Sequence, residues 1–238
     1  MMELILSKKP RNAVIISGFP SFGLVGTITT EFLISHLKCE KIGRIKTDDA
    51  INPVAAIHDN AVLEPFGIFY NQQYNLIIVH AMNRTAGFEW KLAKVIHGIY
   101  RETKAKEIIS IEGVGAERIT DEPRAFYFTN NKRREKILQN AKIEALNDGV
   151  VIGVTGALLL EDSKVPLTCI FAEAHNQMPD SKAAAKVIEV LDKYLNLKVD
   201  YEPLIEQAQK FEEKIKDIMS KNQEASELRD KKQFSYVG

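Results

Sequence analysis

The sequence lacks an excess of charge of either sign. Its 238 residues include 32 lysines and arginines and 32 aspartates and glutamates, so the formal net charge at pH 7 is zero. Proteins that bind nucleic acid or anionic membranes electrostatically concentrate lysine and arginine, and a balanced chain gives no such signal. We therefore expect neither a nucleic-acid partner nor a membrane partner.

Cysteines and long apolar runs are also scarce. The two cysteines, Cys39 and Cys169, belong to no CxxC or cysteine–histidine cluster, which argues against zinc and predicts two reduced, buried thiols. No apolar run approaches the roughly 20 residues that a membrane-spanning helix needs. The apolar stretch near the N-terminus is far too short for the hydrophobic region of a signal peptide. We expect a cytoplasmic protein that uses no metal ion and no cofactor.

Short apolar runs alternate with helical patterns through most of the chain. Apolar spacing predicts helices over 24–37, 88–100, 131–146 and 180–195, the last with Asp180 as its N-cap. Apolar runs predict strands over 12–17, 41–45, 54–58, 66–70, 75–80, 106–112, 125–129, 150–154 and 167–172. The alternation predicts an α/β fold, a three-layer αβα sandwich around a mostly parallel mixed sheet, with the mixed region between 41 and 80.

The composition changes near residue 197, which predicts a core domain over 1–197 and a C-terminal extension over 198–238. The extension begins with a charge-rich amphipathic helix over 201–228, and its apolar stripe consists of Leu204, Ile205, Ala208, Phe211, Ile215, Ile218 and Met219. This stripe packs either on its own domain or on another subunit. Residues 220–233 are mostly polar, which predicts a mobile tail that ends in the apolar and aromatic residues 234–238.

A glycine-rich loop connects the first predicted strand to the first predicted helix. Gly18, Pro20, Gly23 and Gly26 lie where doubly wound folds bind nucleotides, so they form a possible ligand loop. Their spacing matches neither GxGxxG nor GxxxxGK[ST], and no lysine follows to reach a phosphate. The alternative is a tight turn in which glycines allow the helix to pack closely on the sheet.

No set of nucleophile, base and orienting residue is recognisable in the sequence. His58 with Asp59, or His80 with Glu89 or Glu112, has the chemistry for acid–base work, although a structural histidine is the commoner case. Glu112 and Glu117 flank a glycine-containing loop and are candidates for a polar cleft. Neither Ser21 nor Ser163 lies in a GxSxG motif. We therefore expect a protein without catalytic residues.

Several motifs, in this order and spacing, resemble the PAC2 family. They are Gly18-Phe19-Pro20 with Gly23-Leu24-Val25-Gly26, then Phe32-Leu33-Ile34, Ile111-Glu112-Gly113-Val114-Gly115, Gly153 to Leu159, and Met178-Pro179-Asp180 followed by Ser181 to Ala184. The stretch from Gly153 resembles the family's glycine-rich segment that leads to a short helix. The matches span about residues 12 to 195.

The resemblance implies a phosphorylase-like αβα core without established catalytic residues. It also implies a homo-oligomer larger than a dimer that assists assembly of the 20S proteasome. Archaeal relatives of this size dock a C-terminal tail between proteasome α subunits, which makes Phe234, Tyr236, Val237 and Gly238 the candidate partner-binding residues. The usual tail has a penultimate tyrosine, and this sequence departs from it because Val237 is penultimate. The alternative function is a phosphorylase- or nucleosidase-like enzyme or ligand-binding domain that uses the Gly18–Gly26 loop.

Overall fold

The computed structural model describes residues 2–47, 65–82, 85–115, 122–161, 164–174 and 179–199, together with the backbone of 56–58 and 61–63. The strands are β1 (Met2–Leu6), β2 (Val14–Gly18), β3 (Glu40–Thr47), β4 (Ala56–His58), β5 (Ala61–Leu63), β6 (Phe66–Asn71), β7 (Leu76–Ala81), β8 (Glu107–Gly115), β9 (Ala125–Thr129), β10 (Glu144–Ala145) and β11 (Leu167–Ala174). The helices are α1 (Val25–His36), α2 (Glu89–Thr103), α3 (Lys132–Asn140), α4 (Gly153–Leu160) and α5 (Ser181–Leu195).

Nine of the described strands form one mixed sheet in the order β1-β3-β6-β7-β2-β8-β11-β9-β10. Its centre is parallel, because β2 pairs in parallel with both β7 and β8, and β8 pairs in parallel with β11. The flanking pairs β1–β3, β3–β6, β6–β7 and β11–β9 are antiparallel. The separate strands β4 and β5 pair as a short antiparallel ladder. The predicted mixed region between 41 and 80 is therefore confirmed.

Helices cover both faces of the sheet. The central strands are apolar on both sides, so neighbouring residues enter different cores: Ile16 packs with α1 and α5, whereas Ile15 packs with α2 and α4. Alternation along a strand produces this division. The prediction of an α/β fold with three αβα layers is confirmed.

The most regular predicted helix is confirmed together with its cap. The Asp180 side chain accepts a hydrogen bond from the Ala183 backbone N–H at 2.9 Å, which satisfies one of the free donors at the start of α5. One face of α5 is buried, while Lys186, Glu189 and Lys193 form ion pairs on its outer side.

Two predictions of secondary structure were wrong in part, and one strand of the large sheet was missed. Residues 150–154 were predicted to form a strand, but α4 begins at Gly153 and no ladder includes 150–152. The helix predicted over 131–146 ends at Asn140, and the chain then forms the short strand β10. Strand β1 was not predicted at all, although it pairs with five residues of β3.

The two cysteines are both free thiols, as predicted. Cys169 is fully buried, while Cys39 is only partly buried. Burial raises the pKa of Cys39 to about 11, so its reactive thiolate form is rare at neutral pH.

The core continues slightly beyond the predicted domain boundary. Leu197 and Val199 are both buried against α1 and α5. The predicted helix over 201–228 and the tail lie outside the described residues, so the division at 197 stays a prediction. No helix within the described ranges is long and apolar enough to cross a membrane.

Candidate functional site

The order of the parallel strands creates a topological switch point at their carboxyl ends. From β2 the chain reaches β7 on one side, and it then crosses to β8 on the other side of β2. The connecting helices α1 and α2 lie on opposite faces of the sheet. Ligands of open α/β sheets bind at such a switch point, beside the carboxyl ends of the strands. The loops that follow β2 and β8 are therefore the first place to look for a site.

The glycines of the loop after β2 allow α1 to pack directly on the strand ends. A Cβ on Gly18 would lie 2.1 Å from the carbonyl oxygen of Gly26, and a Cβ on Gly26 would lie 2.9 Å from that of Ile111. On the neighbouring strand, a Cβ on Gly113 would lie 2.1 Å from the carbonyl oxygen of Phe22. The glycines thus have a packing role, which favours the tight-turn alternative.

The same loop contacts the start of α5. Gly23 has a left-handed backbone (φ 59°), and a Cβ there would meet the Ala174 side chain at 2.6 Å. Its carbonyl oxygen accepts a hydrogen bond of 2.8 Å from the Asp180 backbone N–H. Pro20 lies half-buried in this loop. Ligand binding by Gly18, Pro20, Gly23 and Gly26 stays a prediction.

A buried carboxyl group, that of Glu112, lies near the carboxyl end of β8. The hydroxyl of Thr155, in the first turn of α4, donates to its Oε2 at 2.8 Å and lies 2.9 Å from the hydroxyl of Ser110. The other oxygen, Oε1, has no hydrogen-bond partner among the described residues, and neither has the buried hydroxyl of Ser21. The Ser21 hydroxyl is close enough to favour the ionised carboxylate, although its geometry does not complete a hydrogen bond.

Burial is the main influence on the ionisation of Glu112. It raises the pKa of this carboxyl group from 4.5 to about 7, against the opposing effects of Ser21 and Thr155. The group therefore changes charge near neutral pH. Such a pKa is typical of functional sites, but it also occurs in purely structural networks.

The side chain of His80 does not contact that of Glu112. His80 ends β7 on the α1 side of the sheet, where its Nδ1 lies 2.8 Å from the Thr30 hydroxyl and its Nε2 lies 3.3 Å from Glu31 Oε2. Glu112 faces α4 on the opposite side. The sheet separates the two groups, so they do not form an acid–base pair.

A second buried glutamate, Glu107, was not singled out from the sequence. It lies at the opposite end of β8 and accepts hydrogen bonds from the hydroxyls of Tyr194, at 2.6 Å, and Thr168. The Nε atom of Arg134 lies 3.0 Å from its second carboxylate oxygen. These partners come from α5, β11 and α3, so no local sequence pattern indicates them.

The remaining predicted site residues cannot be located. His58 is described by its backbone alone, and Asp59, Glu117 and Ser163 lie outside the described residues. The same is true of the candidate partner-binding residues Phe234, Tyr236, Val237 and Gly238. Within the described ranges, no group of three or more potential metal-binding side chains comes together.

Four of the five segments that carried the family resemblance converge at the carboxyl ends of the parallel strands, while Phe32 to Ile34 lie in the second half of α1. The loop from Gly18 contacts Gly113, Gly23 contacts Asp180, and Thr155 bonds to Glu112. Comparison with known proteins finds that the model of the PAC2 family matches residues 15–219, a range that includes all five segments.

Several relatives with similar sequences or structures are archaeal. The crystal structure of Pyrococcus furiosus PbaA, an archaeal homologue of proteasome-assembly chaperone, superposes with a TM-score of 0.84 at 29% identity over 95% of this chain and 100% of that one. P. furiosus PbaB, an archaeal proteasome activator, has the same fold, with a TM-score of 0.76 at 22% identity over 91% of this chain and 98% of that one. An uncharacterized Methanocaldococcus jannaschii protein is 28% identical over 87% of this chain and 85% of its own length.

Proposed function

Because this chain belongs to the PAC2 family, we propose that it is a proteasome assembly chaperone that binds subunits of the 20S proteasome. The observation that carries the proposal is the family match over residues 15–219, together with the similarity to PbaA along nearly the whole chain. The protein acts in the cytoplasm and by binding rather than by catalysis.

The geometry at the carboxyl ends of the parallel strands supports a binding function. The motif segments contact one another through backbone and glycine packing, which builds a rigid surface. Its two candidate acid–base groups, His80 and Glu112, face opposite sides of the sheet. An acid and a base that act together must both lie within hydrogen-bond reach of one bound substrate, and two groups on opposite faces of the sheet do not meet that requirement.

The C-terminal residues are the proposed contact with the proteasome α subunits. Phe234, Tyr236, Val237 and Gly238 follow a polar stretch that has too few apolar residues to fold on its own. Aromatic side chains bring a large contact area at a low cost in rotamer entropy, and the terminal carboxylate adds a charged group for a basic pocket. The same proposal includes a homo-oligomer larger than a dimer, which presents several tails at once and raises avidity.

Deleting residues 234–238 tests the tail directly. We expect the shortened protein to keep its melting temperature and oligomer size and to lose binding to an archaeal 20S proteasome in a pull-down. Adding one residue after Gly238 is a second, finer test, because it moves the terminal carboxylate without removing an aromatic ring. If binding survives both changes, the tail is not the docking element and the contact surface lies on the αβα core.

A small-molecule site at the carboxyl ends of the parallel strands is the second candidate. The observation in its favour is the buried Glu112 carboxylate beside the Ser21 hydroxyl, a contact that favours the ionised carboxylate without completing a hydrogen bond. A ligand with N–H or O–H donors would satisfy Glu112. Thermal-shift measurements with adenosine and inorganic phosphate test this, because a ligand at 100 times its Kd stabilises a protein by about 2.7 kcal/mol. A shift that Glu112→Gln abolishes would favour this candidate over the chaperone.

A further inference from the structure

Helix α4 has no polar outer face. The stretch 149–160, which contains the whole helix, carries no charged residue. Val150 is 89% exposed, Ile152 is 60% exposed and Leu160 is 72% exposed, so both ends of the helix present large apolar side chains. We call these three residues the α4 patch. A helix that is apolar all round is normally covered on every side.

The neighbouring helices are built differently. Helix α2, which packs beside α4, turns Lys91, Lys94 and Arg101 outward, and α5 does the same with Lys182 and Lys193. Their outer faces are mostly charged, although Trp90 in the first turn of α2 is 51% exposed. Among the large apolar side chains of the described residues, the two most exposed, Val150 and Leu160, nevertheless lie at α4.

A matching apolar surface is present in the sequence beyond the described residues. The predicted helix that follows Val199 carries a stripe from Leu204 to Met219. The family match also ends at residue 219, where that stripe ends. The segment 201–219 therefore belongs to the unit that the family shares, and it has a face of its own to bury.

We propose that the stripe of segment 201–219 packs on the α4 patch of a second copy of this chain. This inference deepens the proposed homo-oligomer and rests on it. It assigns the interface to two named surfaces: the α4 patch of one protomer, and the stripe that begins at Leu204 in its partner.

The short connection between Val199 and the stripe is the reason for assigning the segment to a second copy. Val199 is buried on the α1 and α5 face of the sheet, whereas α4 lies on the other face. With a sheet between them, the two helix layers are roughly 20 Å apart. The chain from Val199 to Leu204 spans at most about 17 Å when fully extended, and it has to pass around an edge of the sheet. Within one chain, the start of the stripe at Leu204 therefore cannot reach the α4 patch.

Cross-linking between two single-cysteine variants tests the contact. Leu160→Cys and Phe211→Cys are refolded together and treated with a short bis-maleimide, and each variant alone serves as the control for reaction at Cys39 and Cys169. We expect a cross-linked product of twice the chain mass in the mixture, at least fivefold more abundant than in either control. Replacing Phe211→Cys by Gln209→Cys, which lies outside the stripe, should return the yield to the control level.

The double variant Leu160→Cys/Phe211→Cys decides between the same chain and a second copy. An intrachain cross-link, identified by mass spectrometry of the single-chain band, would overturn the proposal. An oligomer of unchanged size without any cross-link would also overturn it, while leaving the proposed function intact. A protein that is monomeric at micromolar concentration would contradict the homo-oligomer itself.

Charge placed in the patch provides an independent measurement. We expect Leu160→Asp and Phe211→Asp each to raise the dissociation constant of the oligomer at least tenfold by light scattering, and Gln209→Asp to leave it within twofold. Both variants should keep the far-UV circular dichroism of the parent. Unchanged dissociation constants in both would contradict the proposal.

Discussion

Two glutamates on strand β8 are both buried, yet their surroundings differ. Glu107, near the start of the strand, is held by Tyr194, Thr168 and Arg134. Glu112, near its end, has one oxygen bonded to Thr155, and its other oxygen has no partner among the described residues. Because five positions separate them, they face opposite sides of the sheet.

The difference indicates what each end of the sheet does. At the amino end, Glu107 connects β8 to α3, β11 and α5, so the carboxylate is part of the framework. At the carboxyl end, Glu112 lies where the family motifs meet. Each glutamate has one carboxylate oxygen without a hydrogen bond among the described residues, but that of Glu107 is ion-paired with Arg134, whereas Glu112 forms no ion pair within the described ranges. A buried carboxylate paired with a cation belongs to the framework, whereas one without a cation is a candidate for another role.

Removing the charge of Glu107 should have the largest effect. Glu107→Gln leaves Arg134 without its anion, and breaking a buried pair in this way costs about 3–5 kcal/mol. We expect a value near the lower limit, because Arg134 remains 23% exposed and is partly hydrated. Urea unfolding at pH 8 measures the loss. Glu112→Gln is the matched control and should be neutral or stabilising there; equal losses in the two variants would contradict the comparison.

The pH dependence of stability tests the Glu112 site next. Burial raises the pKa of both glutamates, so the comparison with Glu112→Gln is needed to isolate the contribution of Glu112. Burial raises the pKa of Glu112 from 4.5 to about 7, so the folded protein binds this proton more tightly than the unfolded chain. Its contribution therefore favours the folded state at low pH and is lost as the pH rises from 4.5 to 7, by about 3 kcal/mol at most. Unfolding free energies of the parent minus those of Glu112→Gln should fall over this window. A difference that is independent of pH would contradict the assignment.

Close packing of Gly18 at the carboxyl ends of the strands predicts that Gly18→Ala lowers the free energy of unfolding by about 1–3 kcal/mol. In Gly18→Ala the new methyl group would lie 2.1 Å from a backbone oxygen, and such overpacking destabilises by this amount. Gly98→Ala is the control within α2, where the nearest atom is 3.8 Å away, and a helix gains up to about 1 kcal/mol from this change. Thermal unfolding should move the two variants in opposite directions. If Gly18→Ala is neutral, the glycine has no packing role.

The smallest expected effect concerns the hydroxyl donors. Thr155→Val removes one hydrogen bond to Glu112 and should cost about 1 kcal/mol at pH 8. It should also move the pKa of Glu112 further upward, since the lost bond favoured the ionised form. Thr168→Val should likewise move the pKa of Glu107 upward, although Glu107 keeps Tyr194 and Arg134. In a Glu112→Gln background, the shift of the pH profile should therefore vanish for Thr155→Val and persist for Thr168→Val.

Local patterns predicted the parts of the fold that depend on local chemistry. The parallel strands are continuous apolar runs, and Asp180 precedes a strongly periodic helix, so both were found. Residues 150–154 were taken for a strand, although α4 begins at Gly153, because a short helix that is apolar all round has no helical period. Strand β1 was missed because its partner, β3, lies about 40 residues away.

The candidate site was only partly predictable. The glycine loop and Glu112 were recognised from their position at predicted strand ends. Whether His80 and Glu112 meet depends on strand register, since a shift by one residue moves a side chain to the other face. Glu107 was missed because Arg134 and Tyr194, which identify it, lie 27 and 87 positions away along the chain.

Assembly of 20S particles from separately purified archaeal α and β subunits tests the central claim most directly. Native gel electrophoresis or analytical ultracentrifugation follows the appearance of 20S particles with and without this protein. We expect the protein to increase the rate or yield of 20S formation and to bind α subunits, and the form lacking residues 234–238 to have a weaker effect. No change in rate or yield, together with no binding to either subunit, would contradict the account.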